Sequence, residues 1–313
     1  MIVYSLFIFL FFTLFNVNLF ASNVGDVIKK INVTTINTLL IFTSQKGLNS
    51  GSYTFTNTPS DVDMKIYHLP FSYTFKSDSN LHYFVVGNVG YSRVGLSETG
   101  KAYEEGLIIN SNNDIQTYTM GLGGGISYDI YKNLKIAGGL EFIYSRAGVS
   151  ISNTRGDIAD IIDDLFDDNY SENLTYKFFT ALKYEQEIAG YKPYSSLEFS
   201  LYDTKSTFSL DDVASFESQS KVLSLNIGCE SPKLYSYSNE NYLTLKAYIE
   251  GHLLSGVVKD IAKVSKYGSF GGVIYWYTDD APWWASRFFL ELNRVKGDGI
   301  YGYNIGAGFT VDF

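Results

Sequence analysis

The stretch YGYNIGAGFTVDF, residues 301–313, decides the fold class, because its side chains alternate without a break. All of its odd positions are apolar or aromatic, while the even positions carry glycine, asparagine, threonine or aspartate. A period of two is the pattern of a β-strand with one face in an apolar environment. A single strand of this kind would expose an unpaired edge unless its sheet closed on itself. The stretch therefore predicts a closed barrel whose outer face contacts lipid.

The same alternation recurs along the chain and predicts an all-β fold, a transmembrane antiparallel β-barrel of about twelve strands. Aromatic residues stand near the ends of the apolar faces, as in Tyr118 and Tyr128, where an interfacial girdle would lie. Such barrels have even strand counts, so ten and fourteen strands remain open. The twelve predicted strands span 34–45, 64–76, 80–97, 115–129, 134–151, 173–187, 193–208, 218–229, 240–255, 265–278, 283–296 and 299–313.

The amino-terminal residues predict export from the cytoplasm. Residues 2–15, IVYSLFIFLFFTLF, are almost wholly apolar, and a small residue, Ala21, stands where a signal peptidase could cut. We expect a signal peptide over 1–21, a short segment over 22–33 with room for a turn or two of helix, and the barrel over 34–313. An uncleaved membrane anchor is the alternative for the apolar run. We also expect no passenger domain before the barrel.

Composition separates a barrel from a soluble domain and bears on partners. Aromatic residues make up 17% of the chain and charged residues 18%, whereas soluble domains carry about 25% charged residues. The net charge of −9 argues against a nucleic-acid partner. The single cysteine, Cys229, cannot form an internal disulfide, and we expect it to face lipid or the membrane interface.

The lengths of the predicted connections alternate, which fits a barrel with short turns on the periplasmic side and long loops outside. The predicted loops cover 46–63, 98–114, 152–172, 209–217 and 256–264, and the last hairpin turns at Asp298-Gly299. Within the third loop, apolar residues at helical spacing from Ile158 to Phe166 face a set of aspartates. This spacing predicts a short amphipathic helix.

The Tyr-rich twelve-strand pattern, the room for a short helix before it, and the terminal Phe313 together resemble the solitary outer-membrane autotransporter-like β-barrel family. The resemblance spans the chain after the predicted signal peptide and lies in architecture rather than in one motif. It implies a translocator-type barrel left without cargo.

The predicted inward faces carry charges of both signs in nearly equal number, which should pair across the lumen because a buried ion needs a partner. Lys266 has the same predicted orientation, as do the bulky residues Phe179, Phe270, Trp276 and Phe289. The last strand supplies a predicted terminal assembly signal, formed by Phe309, Val311 and Phe313. The predicted lumen-lining residues are Lys135, Glu141, Lys177, Lys183, Glu185, Glu198, Lys246, Glu250, Arg287 and Glu291.

Catalytic, cofactor and metal sites are not predicted. A serine hydrolase needs a histidine within hydrogen-bonding reach of a serine. The sequence indicates no serine partner for His68, His82 or His252, which we interpret as polar lumen residues. The glycine-rich run from Gly121 to Gly125 lies inside a strand and lacks the lysine of a phosphate-binding loop, so it favours close strand packing.

The function predicted on these grounds is a porin-like or small-solute channel with a partly filled lumen in the bacterial outer membrane. A structural or surface-interaction barrel that acts through its external loops is the alternative, and a lipid-modifying enzyme is a third. The expected partners are outer-membrane lipid, lipopolysaccharide and the outer-membrane assembly machinery of a Gram-negative bacterium, and no nucleic acid.

Overall fold

The computed structural model describes residues 50–56, 62–75, 77–101, 108–153, 170–209, 215–238, 241–278 and 287–310. Their strands are β1 Gly51–Phe55, β2 Val62–Thr74, β3 Leu81–Lys101, β4 Ile108–Tyr131, β5 Leu134–Asn153, β6 Tyr170–Glu185, β7 Lys192–Phe208, β8 Phe216–Glu230, β9 Tyr235–Ser236, β10 Tyr242–Gly256, β11 Lys266–Tyr277, β12 Arg287–Gly297 and β13 Ile300–Thr310. A short helix, α1 Val257–Ala262, follows β10. Among these residues, no helix is long and apolar enough to cross a membrane.

Twelve of the described strands form a closed antiparallel ring. Each strand pairs with its neighbour in the chain, except that β8 pairs with β10. The ring closes where β1 lies between β2 and β13, with Tyr53 opposite both Met64 and Gly302. The two-residue β9 pairs with the start of β10 and is not counted in the ring. The prediction of an antiparallel all-β barrel with about twelve strands is therefore confirmed.

The two ends of the barrel differ, and we name them by their connections. At the turn end, β2–β3, β4–β5, β6–β7, β8–β10 and β11–β12 are joined; the loop end carries the other connections. The β4–β5 turn contains only Lys132 and Asn133, and Asp298 with Gly299 forms the β12–β13 hairpin at the loop end. Gly299 has a φ of 73°, a left-handed conformation that glycine adopts without strain.

The structure corrects part of the predicted list of strands and loops, and other parts of the list lie outside the described residues. The first predicted strand, 34–45, lies outside the described residues, whereas residues 51–55, predicted as loop, form β1. The predicted loop at 98–114 is shorter than expected, because β3 and β4 pair as far as Lys101 and Ile108. The predicted loop at 152–172 is also shorter, because β5 extends to Asn153 and β6 begins at Tyr170. Backbone hydrogen bonding continues there after the apolar alternation of the side chains has ended. The amphipathic helix predicted from Ile158 to Phe166 lies outside the described residues.

One side of each strand forms an apolar outer surface. On β4 the exposed side chains include Tyr118, Met120, Leu122, Ile126 and Tyr128, all at even positions. Ten residue steps separate the two tyrosines, which is about 33 Å along a strand and about 25 Å along the axis of a barrel with a tilt near 40°. An apolar band of about 25 Å between aromatic girdles is the dimension of a transmembrane barrel.

The glycines of β4 make room for inward side chains of its neighbours. A Cβ atom at Gly121 would collide with the Asn88 amide from β3 and the Glu141 carboxylate from β5, and one at Gly123 would collide with the backbone of β5. The glycine run therefore lies inside a strand, as predicted, and lets two adjoining strands place polar side chains over β4.

Candidate functional site: the barrel lumen

The inner face of the ring consists of the side chains that alternate with the apolar outer ones. On β6, Tyr176 and Phe178 are exposed outward, while Thr175 and Lys177 are buried on the opposite side. The inner face is mostly polar, and hydroxyl and amide groups recur on nearly every strand. A polar interior with an apolar exterior is the arrangement of a membrane barrel and the reverse of a soluble one.

The half of the lumen nearest the loop end is closely packed. Two large side chains of this half, Tyr53 and Tyr202, are almost fully buried. The small polar residues Ser92, Thr117 and Asn173, from three other strands, are buried to the same degree. Solvent therefore does not reach the inner wall at this level, and the lumen is not an open tube along its whole length.

A buried ion pair lies near the middle of the wall. Lys177 Nζ on β6 is 3.5 Å from Glu141 Oε2 on β5, and both side chains are less than a tenth exposed. The amide of Asn88 donates a hydrogen bond to the other oxygen of Glu141. Lys177 Nζ also lies 5.5 Å from the ring centre of Phe179 and 5.7 Å from that of Tyr202. Both charges thus have the partners that buried ions require.

A second network surrounds Glu250 on β10. Its carboxylate accepts hydrogen bonds from the Asn226 amide on β8 and from Ser269 Oγ on β11, the latter at 3.0 Å. His252 Nε2 lies 3.7 Å from Glu250 Oε2, and His252 Nδ1 lies 2.9 Å from Ser224 Oγ. The prediction that His252 has no serine partner is therefore wrong, because the β8–β10 register places Ser224 directly opposite it.

This serine, histidine and glutamate do not form a complete hydrolytic triad. The 3.7 Å between His252 and Glu250 is longer than a hydrogen bond. The imidazole is 3% exposed and stacks on Tyr267 with ring centres 4.4 Å apart. We interpret the group as a polar network that joins β8, β10 and β11.

Glu291 on β12 belongs to a third group. It accepts a hydrogen bond from Tyr248 Oη, and Asn293 Nδ2 donates to the same hydroxyl at 2.9 Å. Nearer the turn end, Arg287 Nη1 donates to Tyr277 Oη at 2.7 Å, and its guanidinium lies 4.5 Å from the ring centre of Tyr275. These contacts fix inward side chains on β10, β11 and β12 and narrow the lumen on that side.

A cavity of about 720 Å³ lies within the turn-end half of the lumen, against β5 to β8 and β10. At its rim are Lys132 and Glu187 from the turns, and its lining continues inward to Ser224 and His252. Its charged residues are Lys132, Lys135, Lys183, Lys192, Lys246, Glu185, Glu187, Glu198 and Glu250. Five lysines and four glutamates thus surround one cavity, with His252 at its inner end.

The predicted lumen residues fall into three groups in the structure. Six line the cavity: Lys135, Lys183, Glu185, Glu198, Lys246 and Glu250. Glu141, Lys177 and Glu291 are buried in the networks described above, and Arg287 lies against tyrosine rings at the turn end.

Three other residues predicted to face inward lie on the outer surface. Phe270 and Trp276 on β11 are 59% and 47% exposed, and Lys266 shares their side of the strand. The error has a physical cause, because β11 carries aromatic residues on both faces, so its alternation does not reveal which face contacts lipid. Cys229 shares the outward side of β8 with Leu225 and Ile227.

The structure bears only partly on the remaining predicted sites. Of the terminal assembly signal, Phe309 pairs with Phe288 in the β12–β13 ladder, while Val311 and Phe313 lie outside the described residues. Within the described part of the chain, no cluster of three or more histidine, cysteine, aspartate or glutamate residues could hold a metal ion.

Sequence reasoning missed several cavity residues because it searched for charge. Tyr194 faces the cavity, with Lys246 Nζ 4.1 Å from its ring centre, and Ser196 and Asn226 complete that wall. Their parity in the sequence could have identified them, because each lies on the same side of its strand as Glu198 or Ser224.

A closed antiparallel ring with an apolar outer band and a polar interior defines an integral membrane β-barrel. Comparison with solved structures shows that the fold is similar to that of autotransporter barrel domains. The β-domain of the Bordetella autotransporter BrkA matches with a TM-score of 0.52 and 10% identity over 84% of this chain and 96% of that one. The translocator domain of NalP from Neisseria meningitidis matches at 0.53 and 11% over 92% and 98%.

The transport unit of AIDA-I from Escherichia coli gives a TM-score of 0.53 and 11% identity over 94% of this chain and all of that one. At such identities the likeness establishes the fold alone. No protein-family model matches the chain, and no curated protein matches it in sequence.

Proposed function

We propose that this chain is a bacterial outer-membrane barrel that passes small, charged solutes through a narrow, partly filled lumen. The observation that carries the proposal is the cavity of about 720 Å³ inside the ring, lined by lysines and glutamates. A cavity of this size can hold a small organic molecule, since ligand pockets range over about 300–1,000 Å³. The likeness of the fold to bacterial autotransporter barrels supports the outer-membrane location.

The charges of the cavity favour solutes that carry both signs. Among the described residues, Lys183 and Lys246 have no carboxylate within the 4.0 Å of an ion pair, whereas Lys135 pairs with Asp129 at 3.3 Å. Lys135 and Lys183 also stand directly opposite each other on β5 and β6. Like charges at such positions repel, so an anionic group between them would be stabilising. The glutamates of the same wall offer partners for an ammonium group.

The packed loop half of the lumen limits flow. Because the inner wall there is closed to solvent, only solutes a few atoms across could pass without movement of side chains. We therefore expect low conductance in place of the large current of a wide porin. The signal peptide over 1–21 and recognition of the carboxyl-terminal strand by the assembly machinery belong to the same proposal.

Single-channel recording in planar bilayers tests this proposal. With five lysines and four glutamates in the cavity, the wild-type protein should give small currents with weak ion selectivity. Changing Lys135→Glu and Lys183→Glu together should shift the reversal potential under a salt gradient toward cation preference. The shift should shrink as the screening length falls from about 10 Å at 0.1 M salt to about 3 Å at 1 M.

The matched control makes the same charge change on the outer face. Lys205 on β7 and Lys221 on β8 are both exposed outward near the loop end. Lys205→Glu with Lys221→Glu should leave the reversal potential close to that of the wild type. A large open conductance that the cavity substitutions do not alter would show that ions bypass the cavity, and would replace the proposal with a general porin.

A further inference from the structure

One row of polar side chains crosses the wall of the cavity from a basic end to an acidic end. Lys135 on β5 stands opposite Lys183 on β6, and Lys183 stands opposite Ser196 on β7. Ser196 in turn stands opposite Asn226 on β8, and Asn226 stands opposite Glu250 on β10. All five side chains line the cavity, and we name them the cross-wall row. The row places two ammonium groups at one end, a carboxylate at the other and neutral polar groups between them.

The basic end of the row can donate further hydrogen bonds. Lys135 Nζ lies 3.3 Å from Asp129 Oδ1, and its side chain is 49% exposed. The acidic residues nearest to Lys183 by register are Glu185 and Glu198, one inward position away on either side. Neither carboxylate comes within 4.0 Å of Lys183 Nζ, whose three N–H groups can therefore donate to a ligand. A ligand carboxylate between Lys135 and Lys183 would accept from both and would offset the repulsion of two opposed like charges.

The acidic end of the row is a carboxylate fixed in the wall. Glu250 Oε1 accepts a hydrogen bond from the Asn226 amide, and Glu250 Oε2 accepts one from Ser269 Oγ at 3.0 Å. His252 Nε2, at 3.7 Å from Oε2, is too distant for a hydrogen bond. A carboxylate offers about four acceptor sites, so Glu250 has capacity for two more donors. An ammonium group in the cavity would supply them as charge-assisted hydrogen bonds.

The distance between the two ends selects the length of the ligand. Neighbouring strands lie about 4.8 Å apart, so the three steps from Lys183 to Glu250 cover about 14 Å along the wall. The four-carbon stem of lysine shortens the gap that a ligand must span. An extended chain of two or three residues spans about 7–10 Å. Ser196 and Asn226 lie along the middle of the gap, where a hydroxyl and an amide can bond to peptide groups.

We propose that the cross-wall row binds a short linear zwitterion of the length of a di- or tripeptide, with its carboxylate at Lys135 and Lys183 and its ammonium group at Glu250. The inference rests on the proposed function and deepens it, because it names the class of solute and its orientation in the same cavity. Recognition depends on free ends of opposite charge. An internal stretch of a longer chain carries neither charge and would not be held by the row.

Isothermal titration calorimetry of the full-length barrel, folded in detergent, tests the proposal with four compounds: glycine, triglycine, N-acetyl-triglycine and triglycine amide. Triglycine should bind best. Glycine should bind at least about tenfold more weakly, because its two charges are too close together to reach both ends of the row. Each blocked peptide should show a similar loss, because it lacks one charge, and a hydrogen bond between charged groups contributes about tenfold or more.

Substitutions at the two ends assign the orientation of the ligand. Lys183→Gln and Glu250→Gln should each weaken triglycine binding by about tenfold. Lys183→Gln should not weaken triglycine amide further, and Glu250→Gln should not weaken N-acetyl-triglycine further, because the missing contact is the same. The matched controls are Lys192→Gln and Glu187→Gln, which remove cavity charges outside the row and should change binding by less than about twofold. Folding of each variant is read from the heat-dependent band shift on electrophoresis, and the blocked peptides test the same two contacts on the unmodified protein.

Equal binding of glycine and triglycine, or of triglycine and its blocked forms, would overturn the assignment. Equal losses in the row variants and the control variants would also overturn it. Single-channel recording on the same preparation separates this inference from the channel proposal. A barrel that conducts but does not bind triglycine would refute the zwitterion site alone, whereas one that binds triglycine with the expected pattern and does not conduct would support the site and refute the channel.

Discussion

Lys177→Met is expected to lower the free energy of unfolding by about 3–5 kcal/mol, because it leaves the buried Glu141 carboxylate without its ion partner. Glu141 is 5% exposed, and its remaining bond from the Asn88 amide does not neutralise its charge. The measurement is a urea titration of the barrel folded in lipid vesicles, followed by tryptophan fluorescence. The same change at Lys135, whose side chain is 49% exposed, should cost no more than about 1 kcal/mol.

The double change of Lys177→Met with Glu141→Gln separates loss of the pair from loss of packing. Once both charges are gone, no uncompensated ion is buried, so most of the lost stability should return. If the double variant were as unstable as Lys177→Met alone, side-chain packing and not charge would explain the effect. The attraction between the two buried charges would then not be what stabilises the barrel at this position.

Leu122→Arg is expected to cost about 2–4 kcal/mol, because a charge placed at the middle of the lipid-facing band must leave water. Leu122 is 64% exposed and lies between the tyrosines at 118 and 128 that mark the two edges of the band. The folded fraction in vesicles, read from the heat-dependent band shift, should fall accordingly. Ile188→Arg provides the control, since this exposed residue lies in the β6–β7 turn, where a charge costs about 0–1 kcal/mol.

Equal tolerance of Leu122→Arg and Ile188→Arg would mean that the outer face of β4 does not contact hydrocarbon. The apolar side chains of that face would then require another covering, such as a second protein. The proposed membrane location would then fail, while the pairing of the strands would be unaffected.

Most of the fold was predictable because strands with one face in lipid alternate strongly. On β4, β5 and β6 most of the large apolar side chains share one parity, so the sequence reveals both the strand and its orientation. On β11 it does not, since Tyr267 faces inward and Trp276 outward on the same strand. A period of two identifies such a strand but cannot orient it, and its inward residues were assigned wrongly.

The strand β1 escaped prediction for a different reason. Its outward residues Ser52 and Thr54 are polar, and its aromatic residues Tyr53 and Phe55 are buried inside the ring. This reverses the pattern of a lipid-facing strand, because the described part of β1 lies near the loop end, beside the polar residues Asp63 and Lys65. Pairing with β2 and β13 on both sides decides its conformation, and no local pattern records that pairing.

The contacts inside the lumen depend on register, which the sequence specifies only across short turns. Glu141 and Lys177 were expected to face the lumen, but their direct opposition follows from the register of β5 and β6, which are 16 residues apart in the sequence, 154–169. Likewise, the pairing of Ser224 with His252 follows from the register of β8 and β10, which the residues between these strands do not specify. The residue types of the site could be predicted, whereas its partners could not.

Cysteine labelling at two adjacent positions of β7 tests most directly the central claim, that a water-filled cavity lies inside a barrel whose outer face contacts lipid. Ser196 lines the cavity, and Leu197 is exposed on the outer face. In a Cys229→Ser background inserted in vesicles, Ser196→Cys should react with a small water-soluble maleimide added on the turn-end side. Leu197→Cys should react only with a lipid-soluble reagent. The opposite pattern, with Leu197→Cys open to the water-soluble reagent and Ser196→Cys closed to it, would contradict the account.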